Sequence, residues 1–136
     1  MKIDIVLDSH LPPEELTELG LLAEKYGIHT LWNASYLDGR DPFSNLAQLA
    51  RESSRLKIAP MALNAYEQHP FRIAMALLTL NEIANGRVET MIGGGGEVVM
   101  ALGIPFEKRV RYVRDGRVVT AAGVSAGIDM SLWLVG

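Results

Sequence analysis

The segment IDIVLDSHLPPEELTELGLLAEKYG, residues 3–27, decides the fold class of this chain. A short apolar run closed by Asp8 is typical of a strand. Two prolines and two glutamates follow, and they favour a helix start because proline fits the first turn and acidic side chains complement the helix dipole. The segment therefore predicts a strand and then a helix, which ends at Gly27 as a C-terminal glycine.

The predicted first helix carries one apolar stripe. Its apolar residues recur at spacings of three and four, as they do on a helix that buries one side. The residues expected to be buried are Leu16, Leu19, Leu22, Ala23 and Tyr26.

Two further units of the same kind follow. IHTLWN (28–33) predicts a strand and PFSNLAQLARESS (42–54) a helix, with Asp41 as N-cap and Pro42 in the first helical position. LKIAPMAL (56–63) predicts a third strand, in which Pro60 indicates a bulge or an edge, and PFRIAMALLTLNEIANG (70–86) predicts a third helix. Three βα units predict a parallel sheet covered by helices, with right-handed crossovers.

The third helix is apolar nearly all round, so we expect protein to cover more than one of its faces: the sheet on one side, and a neighbouring helix or subunit on another. Asn85-Gly86 should end it. RVETMIGGGG (87–96) predicts a fourth strand that runs into glycines, followed by short helical pieces.

The end of the chain has a different pattern. YVRDGRVVT (112–120) places Asp115-Gly116 between two strand-forming runs, which predicts a β-hairpin, and a final helix should begin near Ser125. GVSAG (123–127) matches the letters of a hydrolase nucleophile elbow, but the histidine and acid that such an enzyme needs later in the chain are absent, so we expect Ser125 to cap a helix. The fold prediction is a single α/β domain over residues 1–136, either a half TIM barrel or an open flavodoxin-like sheet, with a C-terminal hairpin and helix.

Composition excludes several classes of function. The net charge of −3 leaves no basic face for nucleic acid. The chain has no cysteine and only three histidines, so we expect neither disulfides nor a metal site. The N-terminal MKIDIVLD is too short for a signal or membrane segment, and we expect a cytoplasmic protein with no membrane partner.

Polar and small residues follow each predicted strand. In parallel α/β proteins functional groups gather at the carboxyl ends of strands. Such residues are also the commonest turn formers, so both interpretations stay open. The glycine run likewise either lets backbone approach a flat or anionic ligand or forms a tight turn. The residues concerned are Asp8, Ser9, His10, Asn33, Ala34, Ser35, Asn64, Ala65, Tyr66 and residues 93–96.

Residues 1–110 resemble the luciferase-like family of flavin- or coenzyme F420-dependent oxidoreductases, which are TIM barrels. The resemblance rests on MKIDIVLD (1–8), YLDGRDPFSNLAQLARESSRLKIAP (36–60), LNAYEQHPFRIAMALLTLNEIANGR (63–87) and MIGGGGEVVMALGIPFEKR (91–109). It implies FMN or F420 as cofactor. It further implies that the ring lies against Asn64 and Ala65, at a bulge after the third strand, and near Gly93, Gly94 and Gly95. His10, Asn33 and Ser35 would line the substrate side.

Residues 111–136, with TAAGVSAGIDM (120–130), resemble instead the late hairpin, strand and helix of DJ-1/PfpI-type class I glutamine amidotransferase-like proteins. Two resemblances joined near residues 109–112 predict a chimera, recombined or engineered, without complete catalytic activity. The alternative is a truncated flavin- or F420-binding oxidoreductase that is active only as an oligomer. A half-barrel exposes apolar faces, so we expect a homo-oligomer, most simply a dimer.

Overall fold

The computed structural model describes residues 2–93 and the backbone of residues 112–115 and 118–121. Three βα units follow one another, as the sequence predicts. Each helix begins with a proline. The N–H groups of the first helical turn have no partner within the helix, so a residue that lacks an N–H loses no hydrogen bond there. The elements are β1 (Asp4–Leu7), α1 (Pro13–Lys25), β2 (Thr30–Ala34), α2 (Pro42–Glu52), β3 (Lys57–Met61) and α3 (Pro70–Ile83).

The three strands form one parallel sheet in the order β1-β2-β3. Ile5, Leu31 and Ile58 lie side by side across the sheet, and Leu7, Asn33 and Pro60 form the row that follows. Sequential order with parallel pairing requires each helix to cross over from one strand to the next, which confirms the predicted parallel α/β architecture.

Residues 87–93, predicted as a fourth strand, lie parallel to β3 but join it only at two isolated bridges, Ile58 with Val88 and Leu63 with Ile92. The β3 side spans one residue more than its partner between these bridges. The extra residue defines a bulge and interrupts a regular ladder, as Pro60 predicts. The Met61-Ala62 peptide bond in this stretch is cis.

The core lies between the sheet and its helices. Leu16 of α1, Leu49 of α2 and Ile58 of β3 are completely buried. α1 approaches α2 closely at Gly20, where an added Cβ would lie 2.5 Å from a methyl carbon of Leu49. A larger residue at position 20 would have to displace the Leu49 side chain, so the glycine allows the two helices to pack at this distance.

The predicted apolar stripe of α1 is wrong in part. Leu16 and Ala23 are buried, but Leu19, Leu22 and Tyr26 are 37%, 48% and 77% exposed. The reason is that α1 packs through Leu16 and Gly20, and the side chains at 19, 22 and 26 project from the side of the helix away from α2.

The predicted helix ends are confirmed. The Asp41 carboxylate accepts a hydrogen bond from the Ser44 N–H at 2.8 Å, as an N-cap does. Gly27, Asn85 and Gly86 have positive φ angles of 83°, 52° and 81°, the conformation with which helices commonly end.

Beyond residue 93, β4 (Tyr112–Asp115) pairs antiparallel with β5 (Val118–Ala121), with Asp115 opposite Val118. This pairing is the one that the predicted hairpin requires. Gly116, the glycines from Gly94 on, the short helical pieces and the final helix that includes Ser125 lie outside the described residues. In the part of the chain that is described, no helix is long and apolar enough to cross a membrane.

Candidate functional site

The carboxyl ends of β1, β2 and β3 and the end of residues 87–93 lie next to one another, and we call the residues that follow them the strand-exit edge: 8–11, 35–41, 62–67 and 93. Backbone hydrogen bonds hold its parts together. The Ser35 N–H donates to the Met61 carbonyl at 2.5 Å, and the Gly93 N–H donates to the Leu63 carbonyl at 2.8 Å. Parallel pairing therefore brings loops that are far apart in the sequence to one edge.

His10 is the centre of a polar cluster on this edge. Its Nδ1 lies 2.6 Å from an oxygen of Asp8, and its Nε2 lies 3.4 Å from an oxygen of Asp38. The ring of Tyr36 stacks against the imidazole, with the ring centres 6.0 Å apart. Two carboxylates and an aromatic ring thus hold the orientation of an imidazole that remains half exposed.

The same contacts shift two proton affinities. The side-chain hydrogen bond to Asp8 raises the pKa of His10, with a smaller contribution from the charge of Asp38. The backbone N–H of His10, followed by its side chain, lowers the pKa of Asp8. An imidazole of raised pKa beside an ionised carboxylate can hold or release a proton near neutral pH.

The loops after β1 and β2 are fastened to each other beneath this cluster. The Arg40 guanidinium donates to the His10 carbonyl, and the Arg40 N–H donates to the Ser9 carbonyl at 3.1 Å. A Cβ at Gly39 would clash with Ser9, whose own Cβ would lie only 2.8 Å away, so a glycine at position 39 lets the two loops approach this closely. His10 therefore stands on a fixed backbone.

Asn33, predicted to line the substrate side, is completely buried below the edge. Its amide donates to the Leu7 carbonyl at 3.3 Å, and its oxygen accepts from the amide of Asn45 at 3.4 Å. Asn45 also donates to the Leu11 carbonyl at 3.4 Å. Asn33 is thus engaged in joining β1, β2 and α2.

Asn64, predicted to contact a cofactor ring, is likewise engaged with its own loop. Its side-chain oxygen accepts from the N–H groups of Tyr66 and Glu67 at 3.0 and 2.9 Å, and its amide donates to the Glu67 carboxylate at 2.6 Å. Asn64 shapes the turn after β3, and Ala65 in that turn is exposed.

Small residues cover the β3 end of the edge. Ala62 and Ala65 are exposed and Gly93 is partly buried. A Cβ on Gly93 would lie 3.2 Å from the Cβ of Ala62, so the two backbones run close together here. Nothing is described for Gly94 and Gly95.

The structure brings His10, Ser35, Ala65 and Gly93 to one edge and places the side chain of Asn33 below it. Sequence reasoning missed the partners of His10, which are Asp8, Tyr36 and Asp38, although the spacing of Asp8 and His10 in one loop was a usable signal. Within the described residues no group of three or more His, Cys, Asp or Glu side chains could hold a metal ion.

A model of the luciferase-like monooxygenase family matches residues 1–117. A 5,10-methylenetetrahydromethanopterin reductase of Archaeoglobus fulgidus is 32% identical over 116 residues, which are 85% of this chain and 35% of that protein. The enzyme of the same name from Methanolobus tindarius is 26% identical over 122 residues, which are 89% of this chain and 37% of that protein. The chain thus spans about a third of the length of these curated relatives.

Solved structures agree in fold. The coenzyme F420-dependent tetrahydromethanopterin reductase of Methanopyrus kandleri superposes with a TM-score of 0.70 at 23% identity, covering 96% of this chain and 38% of that one. The oxygenating constituent of 3,6-diketocamphane monooxygenase of Pseudomonas putida, solved in complex with FMN, superposes with a TM-score of 0.66 at 20% identity. The match covers 85% of this chain and 36% of that one. At these identities the likeness concerns the fold, and it is that of a fragment of a TIM barrel.

These comparisons give no support to a DJ-1/PfpI-type origin of residues 111–136 or to a recombined chain. The family match runs to residue 117, beyond the boundary that we predicted at residue 110.

Proposed function

Because the chain belongs to the luciferase-like monooxygenase family, we propose that its strand-exit edge forms part of the binding surface for a flavin or F420 ring in an oxidoreductase. The observation that carries the proposal is the convergence of the small residues Ala62, Ala65 and Gly93 with the His10 cluster on one edge. The names of the relatives support both cofactors: one solved reductase depends on F420, and one solved monooxygenase contains FMN.

The residues at the β3 end of the edge fit a flat ring. Ala62 and Ala65 present only methyl groups, and Gly93 adds no side chain to the surface next to Ala62. A planar ring gains most from close contact with a surface that has no long side chains, since dispersion falls steeply with distance. Asn64 would contribute by holding this turn in shape, because its own polar atoms are already bonded.

When bound, a flavin or deazaflavin supplies hydride chemistry. The chain would hold the ring and the substrate in position and would supply a proton. His10, fixed by Asp8 and Tyr36, would hold or release a proton on the substrate side, and Ser35 would offer a hydroxyl from the same strand-exit edge. We retain Asn33 in this proposal as a positioning residue under the edge, which keeps the β1 loop in place.

We infer that the described residues alone bind the ring without completing the reaction. They supply the exits of three strands and of residues 87–93, whereas a TIM barrel has eight strand exits. Turnover would require further strand exits, from more of a longer chain or from other subunits. The prediction of a recombined origin for residues 111–136 has no part in the proposal.

The test is a fluorescence titration of the purified protein with F420 and with FMN, in the wild type and in an Ala62→Leu variant. We expect saturable binding of one of the two to the wild type. Ala62→Leu places a branched side chain on the flat surface and should weaken binding about tenfold or more, because a tenfold loss corresponds to only about 1.4 kcal/mol.

The matched control is Ser54→Leu, which adds a leucine at an exposed position ahead of β3, at the opposite edge of the sheet. It should leave cofactor affinity unchanged. Absence of saturable binding of either cofactor up to about 1 mM in the wild type would refute the proposal. An equal loss of cofactor affinity in both variants would show that the cofactor does not bind at the strand-exit edge.

A further inference from the structure

The middle of the loop after β2 has few contacts with the core. It consists of residues 36–38, which we call the β2 tip. Tyr36 and Leu37 are 49% and 58% exposed, and the side chain of Asp38 is 84% exposed. A segment that buries so little surface opens at a low cost in free energy. The β2 tip is therefore a part of the strand-exit edge that can move while the sheet stays folded.

The residues on both sides of the β2 tip are fixed. On one side the Ser35 N–H donates to the Met61 carbonyl at 2.5 Å. On the other side the Arg40 N–H donates to the Ser9 carbonyl at 3.1 Å. Gly39 lies between the β2 tip and this second attachment, and a residue without a Cβ can absorb a change of backbone angle. The β2 tip can thus move about Gly39 while both attachments remain.

His10 holds the β2 tip from the loop after β1. The ring of Tyr36 stacks on the imidazole with the ring centres 6.0 Å apart, and His10 Nε2 lies 3.4 Å from an oxygen of Asp38. The other ring nitrogen, Nδ1, lies 2.6 Å from an oxygen of Asp8. Among residues 2–93 these two carboxylates pair with the imidazole, while the Arg40 guanidinium donates to the backbone carbonyl of His10. The two ring nitrogens therefore face carboxylates on different loops.

The protonation of His10 decides whether both contacts can be kept. A protonated imidazole donates from both nitrogens, whereas a neutral one donates from one nitrogen and has a lone pair on the other. Because the Asp8 contact is the shorter of the two, the remaining hydrogen of the neutral ring stays on Nδ1. Nε2 then directs its lone pair at the Asp38 carboxylate. Loss of one proton thus turns the attraction between His10 and the β2 tip into a repulsion.

We propose that His10 is a proton-operated latch, which holds the β2 tip against the loop after β1 when the imidazole is protonated and releases it when the imidazole is neutral. The side-chain hydrogen bond to Asp8 raises the pKa of His10, so the latch is closed below pH 6.5 and opens as pH rises through the raised pKa. In the oxidoreductase proposed for this edge, opening would free Nε2 for a substrate. This last consequence alone rests on the proposed function.

An NMR titration of the full chain without cofactor, from about pH 5 to about pH 9, tests the latch. The backbone amide signals of Leu37 and Asp38 should titrate with the same midpoint as the His10 imidazole. In Asp38→Asn the imidazole should still titrate, but these amide signals should no longer follow it, because the β2 tip has lost the charge that responds to the proton.

Hydrogen exchange measures the opening itself. The Gly39 N–H donates to the Tyr36 carbonyl at 3.1 Å, so movement of the β2 tip about Gly39 exposes it. At about pH 5.5, His10→Gln should lower the protection of this N–H about threefold, which is the scale of an exposed ion pair. At about pH 8.5 the variant and the wild type should exchange alike, because the wild-type imidazole is then neutral. The Arg40 N–H should keep its protection in every variant.

The matched control is His69→Asn, at an exposed histidine that caps α3, where asparagine is also a good N-cap. It should exchange like the wild type at both pH values. The latch is overturned if the amide signals of the β2 tip do not follow the imidazole, or if His10→Gln exchanges like the wild type at about pH 5.5. A failure to bind F420 or FMN would refute the proposed function and leave these measurements unchanged, so the two proposals fail separately.

Discussion

At the scale of single residues, Asp8 and His10 determine each other's protonation. They lie in one loop, and the loop after β2 supplies Tyr36, Asp38 and Arg40 around them. Spacing in the sequence brings Asp8 to His10, but only the parallel pairing of β1 with β2 brings the other three. The immediate partner of His10 could thus be inferred from the sequence, and the rest of its environment required the fold.

Replacing Asp8 by asparagine should lower the pKa of His10 towards its ordinary value of 6.5, because the hydrogen bond to the Asp8 carboxylate is the main cause of the rise. The measurement is an NMR titration of the imidazole. Asp38→Asn is the control, and its effect should be smaller, since Asp38 lies farther from the ring. If Asp38→Asn moved the pKa as far as Asp8→Asn, the assignment of the dominant partner would be wrong.

The pH window of the Asp8–His10 contact follows from the two directions. The pKa of His10 is raised, so the stability that the protonated imidazole adds to the fold is complete below pH 6.5 and is lost as pH rises through the raised pKa. The pKa of Asp8 is lowered, so the stability that the ionised carboxylate adds to the fold is complete above pH 3.8 and is lost as pH falls through the lowered pKa. Both contributions to the stability of the loop are therefore complete between pH 3.8 and pH 6.5.

At the scale of elements, the helix ends were predictable and the buried faces only in part. Pro42 with Asp41, and Asn85 with Gly86, act through their own backbone geometry, so local sequence was sufficient. Whether a helix side chain is buried depends on which other element packs against that side of the helix. Leu22 has the spacing of a core residue but lies on a side of α1 that is not covered.

The same limit applies to the candidate site. Asn33 and Asn64 follow strands, as ligand-binding residues often do, but both are engaged in internal hydrogen bonds. A single sequence does not distinguish an amide that binds a ligand from one that holds a turn, because both uses favour the same residue at the same place.

The α2–β3 connection depends on a carboxylate from α1. Oε1 of Glu24 accepts from the N–H groups of Ser54, Arg55 and Leu56 at 2.9, 2.5 and 2.8 Å. Burial raises the pKa of Glu24, but the three backbone donors together outweigh it, and the net shift is downward. The carboxylate thus stabilises the fold when it is ionised.

Glu24→Gln should destabilise the protein by about 1 kcal/mol at pH 7, since the hydrogen bonds to a charged acceptor are replaced by weaker ones at a partly solvated site. Because the pKa of Glu24 is lowered, the stability that its carboxylate adds is complete above the ordinary value of 4.5 and is lost as pH falls through the lowered pKa. Urea unfolding at pH 7 and at about pH 2.5 should therefore show a difference from the wild type that disappears in acid.

Glu18→Gln is the matched control, at an exposed position of the same helix. It should leave stability unchanged at both pH values. A Glu24→Gln variant as stable as the wild type at pH 7 would show that the three backbone contacts contribute nothing net.

At the scale of the whole molecule, the arrangement of residues 87–93 determines whether the described part behaves as one unit. This segment joins β3 by only two isolated bridges, so its backbone pairing is weak. The Arg87 side chain adds a second connection, to the end of α2. Its guanidinium donates to the carbonyls of Ala50, Ser53 and Leu56 and to the hydroxyl of Ser53. These acceptors lie at and just beyond the end of α2, where helix carbonyls otherwise lack partners.

Arg87→Lys should cost about 2 kcal/mol of unfolding free energy, because an ammonium group cannot reproduce a planar set of donors and leaves buried carbonyls unpaired. Urea unfolding followed by circular dichroism and by tryptophan fluorescence measures the cost. Both probes should shift together to lower urea with an unchanged slope, as expected when the described part unfolds as one cooperative unit.

The control is Arg51→Lys in the last turn of α2, an exposed arginine close to the same helix end. It should behave like the wild type, which separates the loss of a specific donor set from a general effect of replacing arginine. An Arg87→Lys variant as stable as the wild type would mean that the guanidinium contacts contribute nothing net. The backbone pairing of residues 87–93 with β3, which includes the hydrogen bond from the Gly93 N–H to the Leu63 carbonyl, would then be enough to hold Gly93 at the strand-exit edge.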